Sequence, residues 1–185
     1  TLWAKPFFYE ESAKIPMVMM PPADRTDIGQ GRRDDRLVVQ ADIFPTLAEI
    51  CGIPLPDSVE GMSMISDQRR NYIYGEHNED AMATRMIRDQ RYKLIYYPLG
   101  NGIQLFDLDN DPDELCDLAS DPSVAGIRER LTGLMIDNLY GSDLEYLRDG
   151  KLVGVPDDDF KSRGYDRNFG GQRGWRFGTS PNTTY

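Results

Sequence analysis

The chain has 185 residues, which is enough for one ordinary domain or for one domain with an extended appendage. Hydrophobic residues make up 39% of it and charged residues 28%, so a modest core is possible. The net charge of -10 opposes attraction to nucleic acid or anionic lipid, and no run approaches the ~20 apolar residues of a membrane span, so we expect neither partner.

The first third of the chain contains one predicted strand and one predicted helix. Residues 14–20 form a short apolar run that stops at a Pro-Pro pair, a pattern typical of a buried strand. Further along, Asp42 can cap a helix that tolerates Pro45 in its first turn. Apolar residues then recur at helical spacing as far as Cys51, so we predict a helix that ends before Gly52.

The middle of the chain has the pattern of a small sheet. Four strand-like runs lie at residues 71–75, 84–88, 92–97 and 103–108. Their short connections favour sequential antiparallel hairpins. Asp111 and Pro112 look like the cap and first residue of a short helical turn, and the apolar spacing from Ile127 to Leu139 predicts an amphipathic helix. The predicted fold is therefore α+β, a four-stranded antiparallel sheet covered by a C-terminal helix.

From Tyr140 onward the pattern changes to an extended tail rich in Gly and Asp, without an independent core. Within it, residues 168–178 mix arginine, aromatic residues and glycine, as RNA-binding tails do. A single copy in an acidic chain instead favours packing on the rest of a parent enzyme or on a second subunit. A further alternative is that Arg173 or Arg176 reaches a substrate cleft.

Two groups of short motifs follow one another in order. The first comprises Lys5 in L-W-A-K, Y-E-E-S at residues 9–12, I-P at 15–16, D-I-F-P-T-L at 42–47 and E-G-M-S at 60–63. The second comprises R-M-I-R at residues 85–88, Y-K-L-I at 92–95, L-F-D-L at 105–108 and D-P-D-E at 111–114. This succession resembles the C-terminal portion of type I, formylglycine-dependent sulfatases of the alkaline phosphatase superfamily.

The resemblance implies a division of the chain. Residues 1–61, with the strand and helix described above, would end the α/β catalytic domain, residues 62–139 would form the C-terminal α+β subdomain, and residues 140–185 the tail. In the family the lysine box follows E-H-G, and Thr1 stands at that glycine, so the sequence is expected to begin just after an active-site histidine.

The resemblance also implies a formylglycine nucleophile made from cysteine and a Ca²⁺ ion held by carboxylates in the parent enzyme. We expect this chain to supply neither, and the chain alone is therefore predicted to be inactive. Cys51 and Cys116 lack metal-type spacing, which favours buried or idle thiols. The acidic run at residues 107–114 imitates the start of an EF-hand, but Pro112 replaces its glycine, so a turn and helix cap explain it better.

Lys5 is the predicted catalytic residue, because a lysine in a partly buried site can bind anionic sulfate oxygens and stabilise the charge that develops on S–O cleavage. The simpler alternative is a solvated surface lysine. Glu10 and Glu11 are expected to make structural hydrogen bonds. His77 is the one histidine of the chain and ends a predicted strand, so it is the candidate substrate-binding residue; an ordinary loop histidine is the alternative.

The favoured function is thus part of a sulfuric ester hydrolase acting on a small sulfate ester or a sulfated sugar. A phosphoesterase or phosphonate hydrolase of the same superfamily is one alternative, and a non-catalytic binding or assembly module is another. A C-x-P-S-R type box upstream would favour the sulfatase. The isolated chain is expected to self-associate, because the run at residues 14–20 and the tail need packing partners.

Overall fold

The structure is a computed structural model that describes residues 7–25, 28, 31–79 and 83–155. Its residues form two compact units. One unit is Pro16–Ile73, and the other contains the described residues before Pro16 and those from Tyr74 onward. No helix among the residues described here is both long enough and apolar enough to cross a membrane.

The unit that includes the residues from Tyr74 onward is built on a four-stranded antiparallel sheet, as predicted. Its strands are β1 (Ile73–His77), β2 (Thr84–Arg88), β3 (Tyr92–Tyr97) and β4 (Gly102–Asp107). They lie in the order β1-β2-β3-β4. β1 begins two residues later than predicted and extends as far as His77, whereas the other three strands agree with prediction to within one residue.

One face of the sheet is covered by the helix α3 (Ala125–Asn138), which packs against β2 and β3. Leu131 and Met135 of this helix are completely buried, as is Leu94 of β3. Burying a side chain of this size stabilises the fold by about 1.5–3 kcal/mol. The predicted amphipathic helix is therefore confirmed, and its apolar side completes the core.

The opposite face is covered by the residues that lead into the short helix α1 (Glu10–Ala13). The ring of Tyr9 lies edge-on to that of Phe106 in β4, with 5.9 Å between the centroids. The Tyr9 hydroxyl donates to Oε1 of Gln104, also in β4, over 2.8 Å. Side chains alternate between the faces of a strand, so Gln104 and Phe106 share one face. A segment from the start of the chain thus forms part of this sheet's core.

The residues after α3 continue the same unit. A 3₁₀ helix, Gly141–Tyr146, is followed by two short antiparallel strands, β5 (Leu147–Arg148) and β6 (Lys151–Leu152). The ring of Tyr146 is buried and lies 6.4 Å from that of Tyr96 in β3. The tail predicted from residue 140 therefore begins with residues that pack on the sheet. Arg173 and Arg176 lie outside the described residues.

The unit Pro16–Ile73 contains the predicted helix, α2 (Ile43–Ile50). Asp42 precedes α2 but does not cap it through its side chain. Its carboxylate instead accepts hydrogen bonds from the N–H of Val39, over 2.9 Å, and of Met62, over 2.8 Å, and pairs with the Arg70 guanidinium. Asp42 is completely buried and joins the start of α2 to a loop some twenty residues later.

The strand predicted at residues 14–20 is not formed in this structure. These residues have no regular secondary structure, and Val18 and Met20 are 93% and 91% exposed. Residues 16–20 and the loop at residues 31–36 line a groove of about 1170 Å³. A strand needs a neighbour to accept its backbone hydrogen bonds, and no described strand pairs with this run. The prediction of a buried strand is therefore wrong for this structure, in which the described residues provide the run with neither a paired strand nor burial.

The acidic run at residues 107–114 forms turns, and the helical turn predicted after Asp111 is not observed. The Asp107 carboxylate is held by Arg91, with N–O distances of 2.9 and 2.6 Å. The Asp111 carboxylate accepts hydrogen bonds from the backbone N–H groups of Leu115 and Cys116. Both carboxylates therefore stabilise the turn that follows β4.

Candidate functional site

Lys5 lies outside the described residues, but the segment that follows it is firmly attached to the sheet. The carbonyl oxygen of Phe8 accepts a hydrogen bond from the Lys93 ammonium over 2.7 Å.

Four charged side chains, Lys93, Glu10, Glu114 and Arg88, form what we call the Lys93 cluster. The ammonium of Lys93 lies 2.5 Å from a carboxylate oxygen of Glu10 and 2.9 Å from one of Glu114. Arg88 lies 3.0 Å from Glu10. The Lys93 and Glu114 side chains are both 0% exposed, and two cations balance two carboxylates. Charges so deeply buried are tolerated only when they are paired in this way.

The Lys93 cluster also forms hydrogen bonds with backbone groups. The N–H of Glu10 donates to Oε2 of Glu114 over 2.5 Å. Burial raises the pKa of the Glu114 carboxyl, although the Lys93 ammonium and this N–H oppose the rise. The four residues of the cluster come from four separate sequence motifs, and the fold brings these motifs together. The structural hydrogen bonding expected of Glu10 is confirmed.

His77 ends β1, as predicted, and is half-buried. Its ring meets that of Phe8 edge-on, with 6.5 Å between the centroids. Nδ1 is buried and has no hydrogen-bond partner among the residues that the structure describes. Burial lowers the pKa of His77, and the positive charge of Arg85 lowers it further. Both effects favour the neutral imidazole.

Arg85 organises the backbone around His77. Its guanidinium forms a two-pronged ion pair with Asp143, with N–O distances of 2.5 and 2.7 Å, and both side chains are buried. It also donates to the carbonyl oxygens of Asn78, over 2.9 Å, and of His77, over 3.3 Å. Asn78 has a φ of 57°, a left-handed conformation that is uncommon for a residue other than glycine. The Arg85–Asp143 pair thus fixes the turn that leaves β1.

Gly75 allows Phe8 to approach β1. A Cβ atom on Gly75 would lie 2.8 Å from a ring carbon of Phe8 and 3.2 Å from Cε of Met86, closer than side chains normally pack. Only glycine therefore fits here without displacing Phe8. The result is that the ring of Phe8 can contact the imidazole of His77.

The described residues do not fit the metal site of a sulfatase. They contain no group of three or more His, Cys, Asp or Glu side chains that could hold a metal ion. Cys51 and Cys116 are both free and exposed, which excludes the buried alternative of the two expected, buried or idle thiols, and neither stands in a C-x-P-S-R box. We therefore derive no chemistry from a metal held by these residues.

The motif order, the sheet and the helix all match one family. The profile of the family described as "N-sulphoglucosamine sulphohydrolase, C-terminal" matches residues 1–139. The chain belongs to this sulfatase C-terminal family. The resemblance seen in the motifs is therefore confirmed over most of the chain, including the residues that contribute to the Lys93 cluster.

Curated relatives of this sulfatase family member carry sulfatase names. An arylsulfatase of Clostridium perfringens is 31% identical over 151 residues, which cover 78% of this chain and 31% of that protein. A Delta 4,5-hexuronate-2-O-sulfatase of Bacteroides thetaiotaomicron is 32% identical over 152 residues, covering 75% and 31%. The solved structure of a 2-O GAG sulfatase matches with a TM-score of 0.53 and 32% identity, covering 58% of this chain and 26% of that one. The chain spans about a third of the length of the curated relatives it matches.

The neutral state of His77 gives a direct test by NMR. We expect its imidazole to titrate below the ordinary value of about 6.5, because burial and Arg85 both disfavour the proton. Because the pKa of His77 is lower in the folded chain, the unfolded chain takes up the proton at a higher pH. The contribution of His77 to the free energy of unfolding is therefore fully present above about pH 6.5 and decreases as the pH falls below that value. The chain has one histidine, so its imidazole signal needs no assignment. The urea-unfolded chain is the control. A titration midpoint of His77 in the folded chain at or above that in the unfolded chain would contradict a buried imidazole beside the Arg85 cation.

Proposed function

We propose that this chain is the C-terminal part of an enzyme that hydrolyses sulfate esters. The observation that carries the proposal is the family match over residues 1–139, with relatives named as sulfatases. The formylglycine nucleophile and a Ca²⁺ ion would come from other parts of the complete protein. We accordingly propose that the chain alone is inactive.

Lys5 is proposed as the sulfate-contacting residue. A compact ammonium suits the anionic oxygens of a sulfate group, and it stabilises negative charge that grows on the leaving oxygen as the S–O bond breaks. The proposal is supported by the family match, which includes Lys5 and the Y-E-E-S motif that follows it.

His77 is proposed as a substrate-binding residue. Buried polar atoms are normally hydrogen-bonded, so the unpartnered Nδ1 of His77 points to a partner outside the described residues. A neutral imidazole can both donate and accept a hydrogen bond, which suits the hydroxyl groups of a sugar. Two relatives are named for sulfated uronates or glycosaminoglycans, and we therefore propose a sulfated sugar as the substrate.

We propose that residues 1–61 belong to the catalytic α/β domain of the complete protein. The run at residues 14–20 is exposed, and Phe44 and Leu47 of α2 are also more than half exposed. Apolar surface on this scale marks a covered interface. The domain limits of 1–61, 62–139 and 140–185 remain a proposal, as does self-association of the isolated chain through this surface.

Activity assays on the full-length protein test the proposal. We expect turnover of an aryl sulfate and of a 2-O-sulfated uronate, and no comparable turnover of a phosphate monoester or a phosphonate ester. The 185-residue chain, with Ca²⁺ added, should show no turnover above background. Preferred hydrolysis of the phosphorus esters would favour the phosphoesterase or phosphonate hydrolase alternative, and inactivity of the full-length protein on all four would favour a binding module.

A further inference from the structure

The Arg85 guanidinium makes more hydrogen bonds than its ion pair with Asp143 requires. Nε and Nη2 bind the Asp143 carboxylate. Nη1 donates to the carbonyl oxygens of Thr84, Asn78 and His77, over 3.0, 2.9 and 3.3 Å. Apolar residues of similar volume can often replace a buried ion pair without loss of stability. Stability alone therefore does not account for a guanidinium at this position.

Three elements meet at this guanidinium. Arg85 belongs to β2, the carbonyl oxygens of His77 and Asn78 lie at the end of β1, and Asp143 belongs to the 3₁₀ helix Gly141–Tyr146. The Arg85 side chain is 1% exposed and that of Asp143 is 2% exposed. Hydrogen bonds that involve a charged group are short and directional, so they determine where the two carbonyl oxygens lie.

The turn after His77 has a backbone conformation that needs support. Asn78 lies in the left-handed region, with a φ of 57°. A residue other than glycine persists in this region only where the surrounding structure holds it there, and such residues are frequent at binding and catalytic sites. Of the two contacts that Arg85 makes with this turn, the one to Asn78 is the shorter. The guanidinium therefore holds the conformation in which the chain leaves His77.

The imidazole of His77 is held by a separate contact. Its ring lies edge-on to that of Phe8, which occupies the space left free by Gly75. The backbone and the ring of His77 are thus both fixed, whereas Nδ1 has no hydrogen-bond partner within the described part of the chain. A polar atom whose position is set in advance can bind a ligand without a further cost of ordering.

We infer that the Arg85–Asp143 pair positions His77 for substrate binding, through the backbone at the end of β1. The inference rests on the proposed role of His77 as a substrate-binding residue. Arg85 and Asp143 do not contact the substrate in this proposal, since both side chains are buried. The pair affects how tightly the sugar is bound and not how its ester bond is cleaved, so its loss should change KM with little effect on kcat.

The position of His77 can be measured by NMR in the 185-residue chain, independently of activity. At about pH 8.5 the imidazole is neutral in every variant, because the ordinary pKa of histidine is about 6.5. We expect nuclear Overhauser contacts between the imidazole protons of His77 and the ring protons of Phe8. The double variant Arg85→Met/Asp143→Leu should fold, because it leaves no lone buried charge, but should lose most of these contacts.

Two single variants complete the NMR experiment. Arg85→Lys keeps a cation beside Asp143 but lacks the planar fork that reaches the turn, so it should weaken the same contacts even if the double variant does not fold. Arg91→Met is the control, because Arg91 follows the other end of β2 and pairs with Asp107 in a more exposed place. It should leave the contacts between His77 and Phe8 unchanged.

Kinetics of the full-length protein on a 2-O-sulfated uronate test the link to binding. His77→Ala and the double variant should each raise KM by up to about tenfold, the effect of losing one hydrogen bond, and keep kcat within about twofold. Added to His77→Ala, the double variant should raise KM by less than about twofold more, because no imidazole remains to be positioned. Arg91→Met should leave KM and kcat unchanged.

The inference and the proposed function fail in different ways. Unchanged contacts between His77 and Phe8 in the Arg85 variants, or an equal rise in KM from the double variant with and without His77, would overturn the positioning role and leave His77 in the site. An unchanged KM in His77→Ala would instead remove the proposed role of His77 on which the inference rests.

Discussion

Replacing Lys5 by alanine in the full-length protein should lower kcat and kcat/KM by about a hundred- to a thousandfold. Removing one preorganised electrostatic contact to developing charge typically costs about 3–4 kcal/mol of transition-state stabilisation. Lys5→Arg should recover only part of the activity, because a planar guanidinium cannot occupy the place of an ammonium without displacing its neighbours. Steady-state kinetics on a sulfate ester measure both effects.

Lys14→Ala is the matched control for Lys5→Ala. Lys14 lies in the same segment, its side chain is 68% exposed, and it makes only a 4.0 Å ion pair with Glu10. Its replacement should leave the kinetics unchanged. Thermal melts should show that Lys5→Ala changes stability by less than about 0.5 kcal/mol. Lys5→Ala with kinetics like those of Lys14→Ala would identify Lys5 as an ordinary surface lysine.

Replacing Arg85 by methionine should destabilise the fold by about 3–5 kcal/mol, because it leaves the Asp143 carboxylate buried without its cation. Arg85 also donates hydrogen bonds to the carbonyl oxygens of His77 and Asn78, and the substitution removes this donor. Urea unfolding of the chain measures the loss. The double variant Arg85→Met/Asp143→Leu should recover most of it, since an apolar pair replaces the ion pair without leaving a lone charge.

Arg91→Met is the control for that experiment. Arg91 forms a similar two-pronged pair with Asp107 in the same sheet, but its side chain is 45% exposed, so water can replace the lost partner. It should affect stability far less than Arg85→Met does. Equal effects of the two substitutions would show that the burial of the Arg85–Asp143 pair is unimportant.

The sheet and α3 could be predicted because their signals are local. Short apolar runs separated by tight turns define β2, β3 and β4, and the helical spacing from Ile127 to Leu139 defines α3. The run at residues 14–20 has an equally clear apolar pattern and still forms no strand here. A local pattern shows that a segment needs burial, but the neighbour that would bury it lies elsewhere in a chain.

The charged groups around the site were not predictable in the same way. Lys93 lies among apolar residues of β3, where a long cation suggests an exposed position. Its partner Glu10 is 83 residues away in sequence, and the partner of Arg85 is 58 residues away. A charged residue within a buried strand indicates that a residue of opposite charge lies nearby. The position of the charged residue in the sequence does not show which residue that is. His77 could be placed at the end of its strand, and the Arg85–Asp143 pair beside it could not.

The hydrogen bond between Glu10 and Glu114 joins residues 104 positions apart, which has a consequence for biosynthesis. A ribosome adds about 5–20 residues per second, so Glu10 is made about 5–20 s before its partner exists. During that interval the apolar rings of Phe8 and Tyr9 have no sheet to cover. The nascent segment is therefore open to chaperones or to neighbouring chains until the last strand and the turn after it have emerged.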